Sequence, residues 1–357
     1  MKILWAYRGA VHTPGRSPLA ATLKDVPGQL PVTHMSAVND LLLIHWLKEM
    51  GHEVSYLVLE HGAPWYIPQV RLRDVDPGDW DVLMVFKLHA IRNLVPLGLL
   101  KLPWRRVVFW ADFSGLANAI GDAKVDTVCW GTSPLMGREA PTMPRTRHTV
   151  VEHATTFVTP PEMGATVPRG LYAGRMPWRY KLMVEQAANI CPMLIYSIKI
   201  EMDPKKRWIF LRPGQYTPEE LAEAQAWAPE GSELRPAVNI HTEADASRAA
   251  FGFVPATGPV RFGPQFYSAC KFWDYLALGL PVVIADMTPE AEHVRANPGL
   301  GELYTQDNGP SLTVAIERSL RRAEGADFTQ ARKAIQKWVF GNHTWRHRAA
   351  EIMEAIA

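Results

Sequence analysis

The chain predicts an α/β protein of two domains, each built on a largely parallel sheet, and three observations carry that reading. Its 357 residues exceed the size at which a single hydrophobic core stops growing. Short apolar runs that suit strands buried on both faces alternate with amphipathic stretches of helical length. Late in the chain, Cys270 to Asp286 reads as a short helix, a turn at Gly279 and a buried parallel strand.

The first domain opens with a strand over Lys2 to Ala6. A helix over Val38 to Met50, ended by Gly51, and a strand over Glu53 to Leu59 complete a βαβ unit. Val82 to Phe86 and Val107 to Trp110 continue the run of apolar strands, with a helix expected over Ile91 to Leu100 between them. Thr127 to Trp130 and Thr149 to Val151 are the last strands of this sheet. Between Tyr7 and Val38 lies a stretch of about 30 residues rich in Gly, Pro, Thr and basic side chains; loops that long are usually functional. It leaves the first strand at the C-terminal edge, where open α/β sheets bind ligands. Asp74, Asp76, Asp79 and Asp81 invite a metal reading. Pro77 and Gly78 instead predict a turn, and the spacing lacks the glutamate of a calcium loop, so no metal site is expected.

Thr155 to Pro168, with Pro160, Pro161 and Pro168, has linker composition. The expected domains are therefore 1–160 and 161–335, with 336–357 a C-terminal helix packing back on the first. Strands of the second are expected at Gly170 to Ala173, Met193 to Ser197, Trp208 to Leu211, Ala237 to Ile240 and Gly252 to Val254, with a helix over Arg179 to Asn189. Thr217-Pro218-Glu219-Glu220 is a capping box opening a helix to Trp227. Thr288-Pro289 is expected to cap another helix. Leu312 to Arg322 and Phe328 to Ile356 read as helical, the latter broken near Gly341, and no internal repeat or low-complexity tract occurs.

Hydrophobic residues at 47% and charged residues at 21% describe an ordinary globular chain. No apolar run approaches the roughly 20 residues of a membrane span. The N-terminus is charged too soon for a signal peptide, so a cytoplasmic protein without membrane insertion is expected. Cys129, Cys191 and Cys270 are odd in number and far apart, which argues against a disulfide framework or zinc knuckle and for buried thiols. A net charge of +2 does not by itself announce nucleic-acid binding. Basic clusters nevertheless gather in the first half: Arg8, Arg16 and Lys24; Arg71 and Arg73; Lys101, Arg105 and Arg106; Arg138, Arg145, Arg147 and His148. Of the 13 tryptophans most suit a core, whereas Trp65 and Trp178 lie in polar loops and could stack on a base or sugar.

The chemistry begins at Lys271 and Asp274. Three apart, they share a helix face, while Phe272, Tyr275, Leu276 and Leu278 can face the core. Alone, such a pair is also an exposed ion pair. At the mouth of an α/β unit it suits a nucleotide diphosphate, the ammonium meeting phosphate and the carboxylate accepting from ribose hydroxyls. Gly174-Arg175-Met176-Pro177-Trp178-Arg179 is a glycine loop entering a helix, and its guanidiniums, four apart, can straddle a diphosphate at the helix N-terminus. Asp112 sits just past the apolar strand ending at Trp110. Trp110 and Phe113 would raise its pKa and make it a better base for a hydroxyl; His12 and His153 occupy similar loop positions.

Read together, Lys271, Asp274, Tyr275, Leu276, Ala277, Gly279, Pro281, Val282 and Val283 form a pattern that resembles the donor-binding segment of GT-B glycosyltransferases. Along its length the chain is similar to the members of that family that glucosylate 5-hydroxymethylcytosine in bacteriophage DNA. The likeness rests on Lys48 to Gly51, Asp74 to Asp76 with Asp79 to Asp81, Phe109 to Asp112, Arg179 to Glu185 and Lys271 to Asp274. It implies two Rossmann-like domains facing each other across a cleft, the first for the acceptor and the second for the donor. By position, Asp112 matches the family's base, Arg175 and Arg179 its diphosphate arginines, and Asp274 its ribose-binding acid; Lys271 stands where the family has arginine.

The implied activity is inverting transfer of glucose or a similar hexose from a UDP-sugar to a hydroxymethylated pyrimidine of double-stranded DNA, by a monomer in the host cytoplasm. No visible motif calls for a metal. Gly174 and its neighbours would hold the donor, and Arg8, Arg16, Lys24, Arg105 and Arg106 the DNA phosphates. Two departures stand out: the loop around Gly174 is shorter than the family's, and Gly9 to Val32 has no clear counterpart. The Lys271 motif is also closer to bacterial exopolysaccharide transferases. A transferase acting on a polysaccharide or lipid-linked sugar is thus an alternative, with Trp104-Arg105-Arg106 as the hint of a membrane patch. A nucleotide-sugar-binding protein without turnover is another.

Overall fold

A computed structural model describes residues 1–6, 35–58, 67–86, 94–112, 114–197, 199–202, 207–211, 216–236, 240, 244–255 and 269–357. Arg8, His12, Arg16, Lys24, Trp65 and Phe113 lie outside the described residues, as does most of the segment between Tyr7 and Val38. The chain divides into two compact units. The first contains Met1–Thr156 and His343–Ala357, and the second holds most of the residues between Phe157 and Asn342.

In the first unit seven strands form one parallel sheet: β1 (Lys2–Ala6), β2 (Glu53–Val58), β3 (Gln69–Arg71), β4 (Val82–Phe86), β5 (Val107–Ala111), β6 (Thr127–Trp130) and β7 (Arg147–Val150). Their order is β3-β2-β1-β4-β5-β6-β7. Every residue of β4, β5 and β6 is buried, as strands covered on both faces require. The register runs Ile3 opposite Val82 and Trp110 opposite Cys129. Trp5, Phe86 and Trp110 form an aromatic row, with centroids 5.5 Å and 4.8 Å apart. The helix Trp345–Ile356 packs against the helix Met35–Glu49, and Arg106 donates to the Ile356 carbonyl.

The helix expected over Ile91 to Leu100 stops early: residues 91–93 lie outside the described ones, Leu94 is helical, and the helix does not continue to Leu100. Leu94 leads into a turn and a short 3-10 helix at Leu99–Lys101, because Pro96 lacks an N–H and Gly98 takes a left-handed φ of 68°. The aspartate-rich stretch forms the expected turn: Asp76 Oδ1 accepts from the Gly78 amide at 2.8 Å. Among the described residues no group of three potential ligands gathers for a metal ion, and no helix is long and apolar enough to cross a membrane.

The second unit has a parallel sheet of six strands, β8 (Gly170–Ala173), β9 (Met193–Ser197), β12 (Glu233–Pro236), β13 (Phe251–Val254), β14 (Val282–Ala285) and β15 (Gly301–Tyr304), in the order β12-β9-β8-β13-β14-β15. The edge strand expected at Ala237 to Ile240 starts earlier, where Leu234 supplies the buried side chain; residues 237–239 lie outside the described ones. Trp208 to Leu211 is not a strand of this sheet. Trp208–Phe210 (β11) instead pairs antiparallel with Lys199–Glu201 (β10) as a separate hairpin.

Thr217 caps the helix Pro218–Ala226 in the expected capping box. Thr288 does not cap: its hydroxyl donates to the Ala285 carbonyl at 2.9 Å, and the next helix, Ala291–Ala296, begins after Glu290. Arg332, on the helix Phe328–Asn342, is buried and donates to the carbonyls of Gly279 at 3.2 Å and Gly164 at 2.9 Å. It thereby ties the turn that ends the helix Cys270–Ala277 to the segment entering this unit.

Strand order reverses between β1 and β4 in the first sheet and between β8 and β13 in the second. At such switch points the loops diverge to opposite faces, leaving a crevice at the carboxyl ends of the strands.

Candidate functional site

At the switch point of the second sheet, β8 delivers Gly174 and Arg175, and the chain returning after β13 delivers Lys271. Gly174 has φ 133°, a conformation side-chain-bearing residues rarely adopt. Its amide donates to the Tyr196 carbonyl at 2.9 Å, and its carbonyl accepts from Ser197 Oγ at 2.9 Å. A Cβ at this position would lie 3.3 Å from Lys271 Nζ. The missing side chain therefore lets the lysine approach the backbone.

The helix Cys270–Ala277 sets the lysine there through Tyr275, one turn on. Its phenol accepts from the Ala173 amide at 2.7 Å, and its ring fills the space over Gly252, where a Cβ would lie 2.3 Å from it. Burial pushes the Tyr275 phenol well up, so it stays neutral. Lys271 Nζ lies 4.2 Å from the centroid of Tyr172 and 5.5 Å from that of Tyr180. The residue as a whole keeps some exposure, but its ammonium is enclosed. Burial above all brings its pKa down to about 7, against an opposing pull from Cys270, with the Arg175 guanidinium as the smallest cause, acting downward.

Arg175 is exposed, and its carbonyl accepts from the Tyr172 phenol. Arg179 is exposed on the first turn of the helix Trp178–Ala188. That helix start differs from expectation. Glu201 Oε2 accepts from the Trp178 amide at 2.7 Å, so a carboxylate already occupies the first helical N–H. The cationic side chains brought to this end of the second sheet are those of Arg175, Arg179 and Lys271. The hairpin of β10 and β11 supplies that cap and braces the loop: Met176 donates to Lys199 at 3.0 Å and accepts from the Glu201 amide at 2.9 Å.

Asp274 is buried, with 2% of its surface exposed. Trp178 is half-buried and covers Lys181, whose Nζ is 4.6 Å from its centroid. Cys129 and Cys191 are buried as expected, whereas Cys270, at the start of the lysine helix, is partly exposed.

In the first unit Asp112 follows β5, with its side chain 28% exposed. Two candidates from the sequence meet here: His153 Nε2 lies 3.7 Å from Asp112 Oδ2, and the histidine side chain is only 3% exposed. The aspartate therefore faces an imidazole rather than a wholly apolar pocket. The edges of Trp110 and Trp345 clasp His153, with centroids at 4.8 Å and 6.1 Å, and Arg348 Nε donates to its carbonyl at 3.2 Å.

The basic residues of the first unit are partly committed. Arg105 pairs with Asp81 at 3.0 Å, Arg106 binds the Ile356 carbonyl, and Arg138 lies 3.5 Å from Glu139.

No protein-family model and no curated protein matches the chain by sequence. Solved structures match along its whole length. A glycosyltransferase from Rickettsia africae superposes with a TM-score of 0.64 at 11% identity, covering 99% of this chain and 97% of its own. Anabaena HepE, crystallised with UDP and glucose, gives 0.61 at 13% identity over 100% and 99% of the two chains. An α-glucosyltransferase in complex with UDP and a 13-mer DNA containing an HMU base gives 0.60 at 13% identity over 99% and 98%. The fold is that of the GT-B glycosyltransferases.

Proposed function

We propose that the chain is a glycosyltransferase that moves a hexosyl group from a UDP-sugar to a hydroxyl acceptor, and that the acceptor is a 5-hydroxymethylpyrimidine of double-stranded DNA. One observation carries the donor half: Lys271 and Arg175 converge beside Gly174 at a sheet switch point. Two cations meeting where the backbone lacks a side chain suit a diphosphate. Arg179 is the third cation of this reading, and Asp274 its ribose-binding acid. GT-B neighbours crystallised with UDP support the donor class.

In the reaction the acceptor oxygen attacks the anomeric carbon and the bond from that carbon to the diphosphate oxygen breaks. UDP departs with its charge offset by Arg175, Arg179 and Lys271. Asp112 takes the acceptor proton, with His153 behind it. Direct displacement on an α-linked donor gives a β-linked product. The DNA acceptor is supported by the sequence resemblance and by the neighbour bound to HMU-containing DNA, which is itself named an α-glucosyltransferase. Product stereochemistry is therefore an informative readout.

The test incubates the protein with labelled UDP-sugars and three acceptors: hydroxymethylated duplex, unmodified duplex and a bacterial glycan. Label on the hydroxymethylated duplex alone is expected, with the anomeric proton coupling of a β-glycoside. Label on the glycan alone would move the acceptor to polysaccharide. An α-linked product would remove Asp112 as a direct-displacement base.

A further inference from the structure

We propose that donor binding at Lys271 is proton-coupled: the arriving diphosphate draws a proton onto an amine set against the rings of Tyr172 and Tyr180 and the Gly174 backbone. This deepens the donor reading above and rests on it.

The geometry is that of an amine set among aromatic rings and backbone. The amine is covered by Tyr172 from β8 and by Tyr180 from the helix Trp178–Ala188, and the Gly174 backbone closes one side. Among the described residues the charged and titratable groups packed around it are few. Arg175 on the loop is cationic. Tyr172 and Tyr180 have phenols that burial pushes up, so both are neutral through the physiological range. On the lysine's own helix are Cys270, Asp274 and Tyr275.

An amine so placed loses hydration, the pull from Cys270 offsets only part of that loss, and its pKa falls to about 7. A diphosphate supplies a counter-charge and moves it back up. By linkage, binding then takes up a proton wherever the free-site amine is neutral and the bound one charged. Affinity is full below about pH 7 and weakens as pH rises above it, by up to about tenfold per pH unit. Arginine, the family's residue here by resemblance, would hold its charge throughout.

Calorimetry with UDP-glucose tests this, because its diphosphate diester has no group titrating near neutrality. At pH 8, titrations in HEPES and in Tris should give different heats, corresponding to net proton uptake on binding. Lys271→Arg should still bind, with the buffer difference abolished. The wild-type affinity profile from pH 6.5 to 9 is a second readout that needs no variant. Equal heats in the two buffers, or a flat profile, would overturn the proton coupling and leave the donor site standing. No binding of UDP-glucose at any pH would overturn the donor reading itself, and this inference with it.

Discussion

Arg175 and Arg179 are the cations of the candidate donor site with least to do for the fold. Both are exposed, and the Tyr172 phenol holds Arg175 by its carbonyl, so truncating either side chain leaves the turn intact. Arg179→Ala is expected to weaken UDP binding by about 1.5 to 3 kcal/mol, the scale of a charge-assisted contact, with an unchanged melting temperature. Unaltered affinity in calorimetry would remove Arg179 from the site. Asp112→Asn should bind UDP normally and lower turnover roughly 100-fold, as loss of a general base does. Near-normal turnover would shift attention to His153, 3.7 Å away. These residues were legible because each follows an apolar run or a glycine, the pattern of a loop at a strand's carboxyl end. The proximity of Asp112 and His153 was not. They lie forty-one positions apart and meet through the parallel pairing of β5, β6 and β7, which no local pattern encodes.

At the scale of elements, the donor site depends on how the helix Cys270–Ala277 sits over β8 and β13. Gly252 is the contact that admits Tyr275, and Tyr275 fixes the register that brings Lys271 to Gly174. Gly252→Ala drives a methyl into a fully buried ring, so the helix must lift. The variant should lose about 1 to 3 kcal/mol of stability, on the scale of core overpacking, and part of its UDP affinity. Thermal melting and calorimetry on the same preparation check both, and wild-type values for each would show that the helix is not held in this way. The buried strands β4, β6, β8 and β9 fall where their apolar runs predict, since nothing else in the sequence competes for those residues. The elements that escaped are those whose formation is decided elsewhere. β3 is three residues long with none buried, and β10 is held by pairing with β11 and Met176, while β11, expected as a strand, joins this hairpin and not the parallel sheet. That hairpin also carries the Glu201 cap, which is why the carboxylate at the Trp178 amide had no local signal.

For the whole molecule the open question is the acceptor, and charge is the handle on it. A net charge of +2 gives no strong field, and the structure already engages Arg105 with Asp81 and Arg106 with the Ile356 carbonyl. DNA contacts would therefore draw more on Arg8, Arg16 and Lys24, whose charges the sequence concentrates after β1. Each phosphate neutralised releases counterions, so log affinity for duplex DNA should fall with log salt by about 0.9 per contact. An Arg16→Ala, Lys24→Ala pair should flatten that slope by roughly two units. Arg105→Ala should flatten it by less than one, because its guanidinium is shared with Asp81. Fluorescence anisotropy of a hydroxymethylated duplex between low and moderate salt reads all three slopes. A neutral glycan acceptor releases no counterions, so its binding would show no such dependence. Absence of DNA binding at low salt would exclude the duplex while leaving the donor chemistry at Lys271 and Arg175 intact, because those residues belong to the second unit and the basic segment follows β1 in the sequence.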